Sequence, residues 1–136
     1  MRLLRTISAK MMLLVLTFIL IGWNFSEKFS DTDAGDNIIV LVKYKAQPEK
    51  GEETVAALTN LIKKVKTEPN FVHLKLHVDP KDKTNILLYE EWSDASYYNS
   101  AHMNTPHLQE FIAKSRNFLA GPPEISFWKV EGDFKK

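Results

Sequence analysis

The sequence contains no cysteine. This absence excludes disulfide bridges, thiolate metal sites, a cysteine nucleophile and a lipid-modified N-terminal cysteine. The chain also lacks a strong charge of one sign, because 18 basic residues face 17 acidic ones. No basic helix or stripe is present that would mark a nucleic-acid-binding surface. We therefore predict no nucleic-acid partner.

One long apolar run is present, and it stands near the start of the chain. Three basic residues precede residues 11–23, which are apolar apart from Thr17 and Gly22. A basic segment followed by such a run is typical of a secretory signal or a short membrane anchor. The run is shorter than the roughly 20 residues of a comfortable bilayer span, and no A-x-A cleavage signal follows it. A cleaved signal and a retained anchor therefore both stay open.

The chain divides into three parts on this basis. We predict a signal peptide or membrane anchor at residues 1–26, a polar linker at 27–37 and one domain at 38–134. The positive charges near the N-terminus favour keeping that end of the chain on the cytoplasmic side of the membrane. The domain is therefore expected to be exported, either periplasmic (extracytoplasmic) or anchored to the inner membrane by the N-terminal segment.

Hydrophobic periodicity within the domain predicts α+β structure. Strands are predicted at Ile38–Lys45, Phe71–Val78, Asn85–Trp92 and Ile125–Val130. A helix with Pro48 in its first turn fills the first gap, and Pro69 stops it. Ser93 is predicted to cap a short helix that runs to Met103, and Thr105-Pro106 starts another at once. The order is β-α-β-β-α-β, the ferredoxin-like pattern.

Several motifs in this order resemble the antibiotic-biosynthesis-monooxygenase (ABM) family. They are Gln47-Pro48-Glu49-Lys50-Gly51, Glu68-Pro69-Asn70-Phe71, Tyr89-Glu90-Glu91-Trp92 and His102 to His107 with Thr105-Pro106 between. The resemblance implies a dimeric α/β barrel in which two protomers pair their sheets. It also implies a pocket between the sheet and the helices of each protomer. Self-association suits so small a domain, and we expect a homodimer.

The family includes oxygenases that need no cofactor and act on quinols and polyketide phenols. Dioxygen is a triplet and reacts slowly with closed-shell molecules, but a phenolate is electron-rich enough to give it one electron. Such an enzyme must supply a dry pocket, a base and donors that hold the anion. His102 is the candidate base, since the ordinary pKa of histidine is about 6.5. A core histidine that orders the helix junction is the structural alternative.

Five aromatic residues are candidates for substrate binding. Trp92 is expected to stack on an aromatic substrate, and Tyr44 and Tyr89 to donate hydrogen bonds to a phenolate oxygen. Tyr98 and Phe111 are expected to line the pocket with them. Each of these residues also has an ordinary interpretation as a core or strand aromatic. His107 is interpreted as structural.

The residues indicate no metal or cofactor site. His73 and His77 have a spacing that could hold a metal, but no third ligand is near, and a solvated strand face is the preferred interpretation. Haem-degrading oxygenases share the fold, yet the positions of their functional asparagine, tryptophan and histidine correspond here to Tyr44, His102 and Ile112. We therefore predict that neither haem nor any other cofactor is used.

Two functions remain open from the sequence. The first is a cofactor-independent monooxygenase that oxidises a quinol-like or polyphenolic aromatic substrate with O2. The second is a non-catalytic dimeric module on the same fold that binds a small molecule or associates with the envelope. An open pocket would favour the enzyme, and a collapsed core would favour the module.

Overall fold

A computed structural model describes residues 37–136 of the chain. The predicted signal or anchor at 1–26 and nearly all of the predicted linker at 27–37 lie outside the described residues. None of the helices within residues 37–136 is both long enough and apolar enough to cross a bilayer.

The domain has the predicted α+β, ferredoxin-like architecture. Its elements are β1 (Ile38–Lys45), α1 (Gly51–Val65), β2 (Phe71–Val78), β3 (Asn85–Trp92), α2 (Ala95–Asn99), α3 (Pro106–Ser115) and β4 (Glu124–Lys129). A single turn of 3₁₀ helix, His102–Asn104, lies between α2 and α3. The four strands form one antiparallel sheet in the order β2-β3-β1-β4. Three helices accompany the sheet, and the core is formed where they pack on it.

One face of the sheet packs against the helices and is called the inner face. On β1 it carries Val40 and Val42, and on β3 it carries Leu88, all of them almost fully buried. The apolar run from Ile38 to Val42 predicts that β1 is covered on both faces. Both faces are covered only at the start of the strand, where Ile39 on the face opposite to the inner one is also buried. Lys43 and Lys45, farther along that same opposite face, are exposed. The later half of β1 therefore alternates like the strand of a sheet with one covered face.

The alternation of residues in β2 predicts Val72 on the apolar face and Phe71 on the polar face, and this prediction is wrong at these first two residues. A register irregularity lies between Phe71 and His73 in the pairing with β3. As a result Phe71 joins Leu74 and Leu76 against the core, while Val72 is exposed. A β-bulge adds one residue to one strand, and the residues before it change face.

The connection from β3 to α3 also differs from its prediction. Asp94, not Ser93, caps α2, because its Oδ1 atom accepts hydrogen bonds from the backbone amides of Ser96 and Tyr97. The predicted single helix through Met103 is interrupted after Asn99, and a separate 3₁₀ turn follows. Asp is as good a cap as Ser, and here only Asp94 has both amides within reach.

The ends of three other elements are shifted from their predicted positions. Pro48 lies in a turn before α1, and the helix begins at Gly51, whose backbone packs close to the carbonyl oxygen of Lys83. α1 ends at Val65, before Pro69. Apolar spacing predicts that α3 continues through Leu119, but the helix ends at Ser115 and the apolar residues after it belong to a following turn. β4 begins one residue earlier than predicted.

Candidate functional site

A cavity of about 610 Å³ lies between the inner face of the sheet and the helices. This volume is in the range of small-molecule sites, roughly 300–1,000 Å³. Its wall is mainly apolar and includes Val42, Leu88, Leu108, Phe111 and Leu119. The pocket that the family resemblance implies between sheet and helices is therefore present.

Four of the six predicted site residues line this cavity. They are Tyr44 from β1, Tyr98 from α2, His102 from the 3₁₀ turn and Phe111 from α3. Tyr98 stacks on the His102 ring with centroids 4.8 Å apart, and Tyr44 meets Phe111 edge to face at 6.1 Å. The fold thus brings aromatic rings and a histidine from four elements to one space.

The other two predicted residues are not brought to the cavity wall. Trp92 is completely buried behind it, and its ring lies 4.7 Å from the His102 ring and 5.4 Å from that of Tyr98. Trp92 therefore supports the wall rather than facing a ligand. Tyr89 points to the opposite face of the sheet, because it is an odd number of residues from Trp92 and Glu90 on the same strand. It lies near His73 there.

A carboxylate that the sequence analysis did not single out holds His102. Glu68 lies in the loop between α1 and β2, and its side chain is only 5% exposed. Its Oε2 atom accepts hydrogen bonds from His102 Nδ1 at 2.9 Å and from the Tyr97 hydroxyl at 3.2 Å. Its Oε1 atom accepts one from Nε2 of His107, in the first turn of α3. Three donors therefore converge on one buried carboxylate.

This arrangement fixes the orientation of the His102 ring. A carboxylate only accepts hydrogen bonds, so the Nδ1 atom of His102 carries the proton and the neutral ring has its lone pair on Nε2. Nε2 has no hydrogen-bond partner among residues 37–136. Every fully buried side-chain nitrogen or oxygen in that range has a partner, so Nε2 must be accessible. His102 lines the cavity, and its basic nitrogen is therefore available to a bound molecule.

A second buried carboxyl group, Glu90 of β3, lies in the cavity wall. It is 6% exposed, and its Oε2 atom accepts a hydrogen bond of 3.0 Å from Trp92 Nε1. Burial, with a smaller contribution from the negative charge of Glu68, raises the pKa of Glu90 from 4.5 to about 7, against the lowering effect of the Trp92 hydrogen bond. Glu90 therefore exchanges a proton near neutral pH.

The two cavity tyrosines remain protonated. Burial, and the nearby Glu90 carboxyl group, raise the pKa of Tyr44 and of Tyr98 well above the ordinary value of 10.0. Neither hydroxyl has a protein partner among the described residues, so both are free to donate to a ligand oxygen. Donors of this kind are what a bound phenolate needs.

His73 and His77 do not form a metal site with other side chains in the described part of the chain. Both side chains lie on the exposed face of β2. Within residues 37–136, no group of His, Asp or Glu side chains has an arrangement that could hold a metal ion.

Sequence reasoning missed Glu68 and Glu90 as site residues, because both stand in motifs that were used only for the family resemblance. The structural interpretation of His107 agrees with its hydrogen bond to Glu68. One signal for Glu90 was available, since it is two residues before Trp92 on a strand and must share its face. The contact between Glu68 and His102 could not be predicted from neighbouring residues, because 34 positions separate the two in the sequence.

We expect Glu90→Gln to change how the free energy of unfolding depends on pH. The unfolded chain gives up this proton near the ordinary pKa of 4.5, and the folded chain only near 7. Protonated Glu90 therefore contributes stability below about pH 4.5. That contribution is lost as the pH rises through the folded pKa. The free energy of unfolding falls by about 3 kcal/mol in all, since one unit of pKa is worth about 1.4 kcal/mol.

Glutamine cannot ionise, so the free energy of unfolding of the variant should rise by this amount relative to the wild type between about pH 4.5 and about pH 8. Urea unfolding at several pH values measures the difference. Glu91→Gln, on the opposite face of the sheet, is the matched control. The same pH dependence in both variants would contradict the burial of an ionisable Glu90.

Comparison with known proteins places these residues in a family. The profile described as "Antibiotic biosynthesis monooxygenase" matches residues 37–114. The protein sll1783 of Synechocystis sp. is 31% identical over 97 residues, which are 71% of this chain and 65% of that protein, so the chain spans less than two thirds of its length. YcnE of Bacillus subtilis, a candidate monooxygenase, is 28% identical over 89 residues, which are 65% of this chain and 93% of that protein.

Solved structures show the same fold. PA3566 from Pseudomonas aeruginosa has a TM-score of 0.67 at 20% identity, covering 74% of this chain and all of that one. A candidate antibiotic biosynthesis monooxygenase from Nitrosomonas europaea has a TM-score of 0.65 at 18% identity, covering 71% of this chain and 92% of that one. The profile match covers more than half of the chain and includes Glu68, Glu90 and His102. The chain therefore belongs to the antibiotic biosynthesis monooxygenase family.

Proposed function

We propose that the protein is a cofactor-independent monooxygenase that oxidises a quinol-like or polyphenolic aromatic molecule with O2. The observation that carries this proposal is the accessible Nε2 atom of His102 in an apolar cavity. Family membership, and the description of YcnE as a candidate monooxygenase, support the reaction class. An open cavity favours this function over the non-catalytic module.

The cavity supplies groups that remove the ligand proton and hold the phenolate that forms. His102 Nε2 takes the proton of a ligand hydroxyl, and its Nδ1 proton stays hydrogen-bonded to Glu68, which stabilises the imidazolium that forms. The Tyr44 and Tyr98 hydroxyls donate to the phenolate oxygen. The phenolate gives one electron to O2, and the resulting radical pair combines to form a carbon–oxygen bond. Loss of water from the peroxide then leaves the hydroxylated quinone, so that quinol plus O2 gives hydroxyquinone plus water.

Oxygen uptake by the whole chain tests this proposal. We expect a panel of menadiol-type quinols and hydroxyanthrones to show uptake above the autoxidation blank, and a chelator should not abolish it. His102→Ala should lower the rate by about 10²- to 10⁴-fold, the usual contribution of a general base. His73→Ala, which removes an exposed histidine from the other face of the sheet, is the control and should match the wild type. Wild-type uptake equal to the blank across the panel would reject the proposal.

We also propose that two copies pair through the face of the sheet that carries no helices. This face presents Leu41, Leu87 and Tyr89, and Trp128 on the edge strand β4 is 56% exposed. An antiparallel sheet with a solvated face normally carries polar side chains there. Apolar residues on this face suit a second copy, and a dimer would hide the β4 edge.

Sedimentation velocity measures the pairing directly. The wild type should sediment as a dimer, and Trp128→Glu should shift it toward the monomer by placing a charge in the interface. Phe134→Glu is the matched control, because Phe134 is a 97% exposed aromatic outside the strands. A monomeric wild type, or an equal effect of both substitutions, would argue against this interface.

Finally, we propose that the N-terminal segment exports the domain or anchors it at the inner membrane, where quinols are available. The basic residues and the apolar run at residues 11–23 motivate this proposal. After cell fractionation, the protein should appear with membranes or in the periplasm. Its intact mass will distinguish a retained anchor from a cleaved signal. Recovery of the full-length chain from the cytoplasm alone would contradict export.

A further inference from the structure

Glu90 has one carboxylate oxygen without a partner. Its Oε2 atom accepts the Trp92 Nε1 hydrogen, but its Oε1 atom has no hydrogen bond within residues 37–136. Since every fully buried side-chain oxygen in that range is partnered, Oε1 must be accessible. Glu90 is 6% exposed and lines the cavity, so this oxygen is reached from inside the cavity.

The hydrogen bond to Trp92 does not by itself explain why a carboxyl group with two oxygens stands at position 90. A single indole N–H needs only one acceptor, and Oε2 supplies it. Glu90 forms no ion pair with any described cation. The cavity wall beside it is apolar, including Leu74 and Leu88. A carboxyl oxygen in such surroundings is unfavourable unless something hydrogen-bonds to it, and Oε1 has no donor among the described side chains.

The groups that face Glu90 do not supply that partner. Tyr44 and Tyr98 lie close enough for Glu90 to affect their ionisation, but neither hydroxyl is hydrogen-bonded to it. Glu68 is also near and carries the same sign of charge. A bound molecule is therefore the available source of a hydrogen-bond donor.

We propose that Glu90 binds a second hydroxyl group of the aromatic ligand, and so selects dihydroxylated aromatic molecules over those with a single hydroxyl. The inference rests on the proposed function, in which His102 takes the proton of the first hydroxyl. Two polar anchors, His102 and Glu90, then fix the ligand in an otherwise apolar cavity. Sites built to bind a hydroxyl discriminate strongly against analogues that lack it, because a buried polar group is otherwise left unpaired.

A ligand oxygen suits Glu90 in either of its protonation states. Burial raises the pKa of Glu90 to about 7, so near neutral pH the carboxyl group either accepts or donates a hydrogen bond. A quinol hydroxyl is a donor, and the quinone carbonyl formed from it is an acceptor. The same carboxyl group therefore matches the oxygen of the ligand before and after oxidation.

Binding without oxygen separates this inference from catalysis. Isothermal titration calorimetry under anaerobic conditions, on the whole chain, compares 1,4-dihydroxynaphthalene with 1-naphthol, which lacks the second hydroxyl. We expect the wild type to bind the dihydroxy compound at least about tenfold more tightly, as one hydrogen bond to a charged group allows. Glu90→Leu should abolish the preference. Glu90→Gln should weaken it, because the amide oxygen is held by Trp92 and the NH2 group in the other position cannot accept a hydrogen bond from the ligand hydroxyl.

Glu91→Gln is the control and should keep the preference, because Glu91 lies on the opposite face of the sheet. His102→Ala should also keep it, while weakening the binding of both ligands. If the wild type binds both ligands equally, or if Glu90→Leu retains the preference, the role of Glu90 is refuted and the proposed function is not. If Glu90→Leu fails to fold, an unchanged preference in Glu90→Gln refutes that role. If neither ligand binds the wild type, the proposed function fails, and this inference fails with it.

Discussion

The buried carboxylate of Glu68 connects the parts of the molecule on which the site depends. It accepts hydrogen bonds from Tyr97 on α2, from His102 in the 3₁₀ turn and from His107 at the start of α3. These three segments are short, and none of them would be stable alone. A side chain from the loop after α1 therefore holds the whole β3–α3 connection against the sheet. Removing this charge would release the base and loosen the wall of the cavity together.

The same carboxylate influences the chemistry of the cavity from a distance. By accepting the Nδ1 proton it directs the basic nitrogen of His102 inward, and by its charge it helps to keep Glu90 protonated. Tyr98 and Trp92 both pack against the His102 ring and against each other, which limits the rotation of the imidazole. The ring is therefore oriented by hydrogen bonding and by packing at once. Such pre-organisation is what general-base catalysis in an apolar site requires.

Much of the fold could be predicted from the sequence because periodicity reports directly on which side of an element is buried. An apolar run predicted β1, alternation predicted β2, and turn residues marked the starts of β3 and β4. Helical spacing predicted α1 and α3. The errors arose where tertiary contacts decide between equal local choices. Ser93 and Asp94 are both good caps, and only the path of the chain selects Asp94. The bulge after Phe71 depends on pairing with β3, which the residues of β2 alone do not specify.

The site was less predictable for the same physical reason. His102, Tyr44, Tyr98 and Phe111 were found because each is a chemically distinctive residue on an apolar stripe. The assignment of Tyr89 to the pocket conflicts with strand geometry, since Tyr89 and Trp92 are three residues apart and lie on opposite faces of β3. Glu68 could not be paired with its histidines, because the sequence carries no measure of distance between segments so far apart.

Glu90 is the point at which folding and function make opposite demands. An apolar residue there would fill the same space without an ionisable group, and such replacements of buried charges are often neutral or stabilising. The carboxyl group instead makes folding less favourable above about pH 4.5, where the unfolded chain ionises before the folded one. A residue that breaks the local rules of a core without a compensating structural contact is characteristic of a site. Trp92 compensates for one oxygen of Glu90, and the other oxygen is left for what the cavity binds.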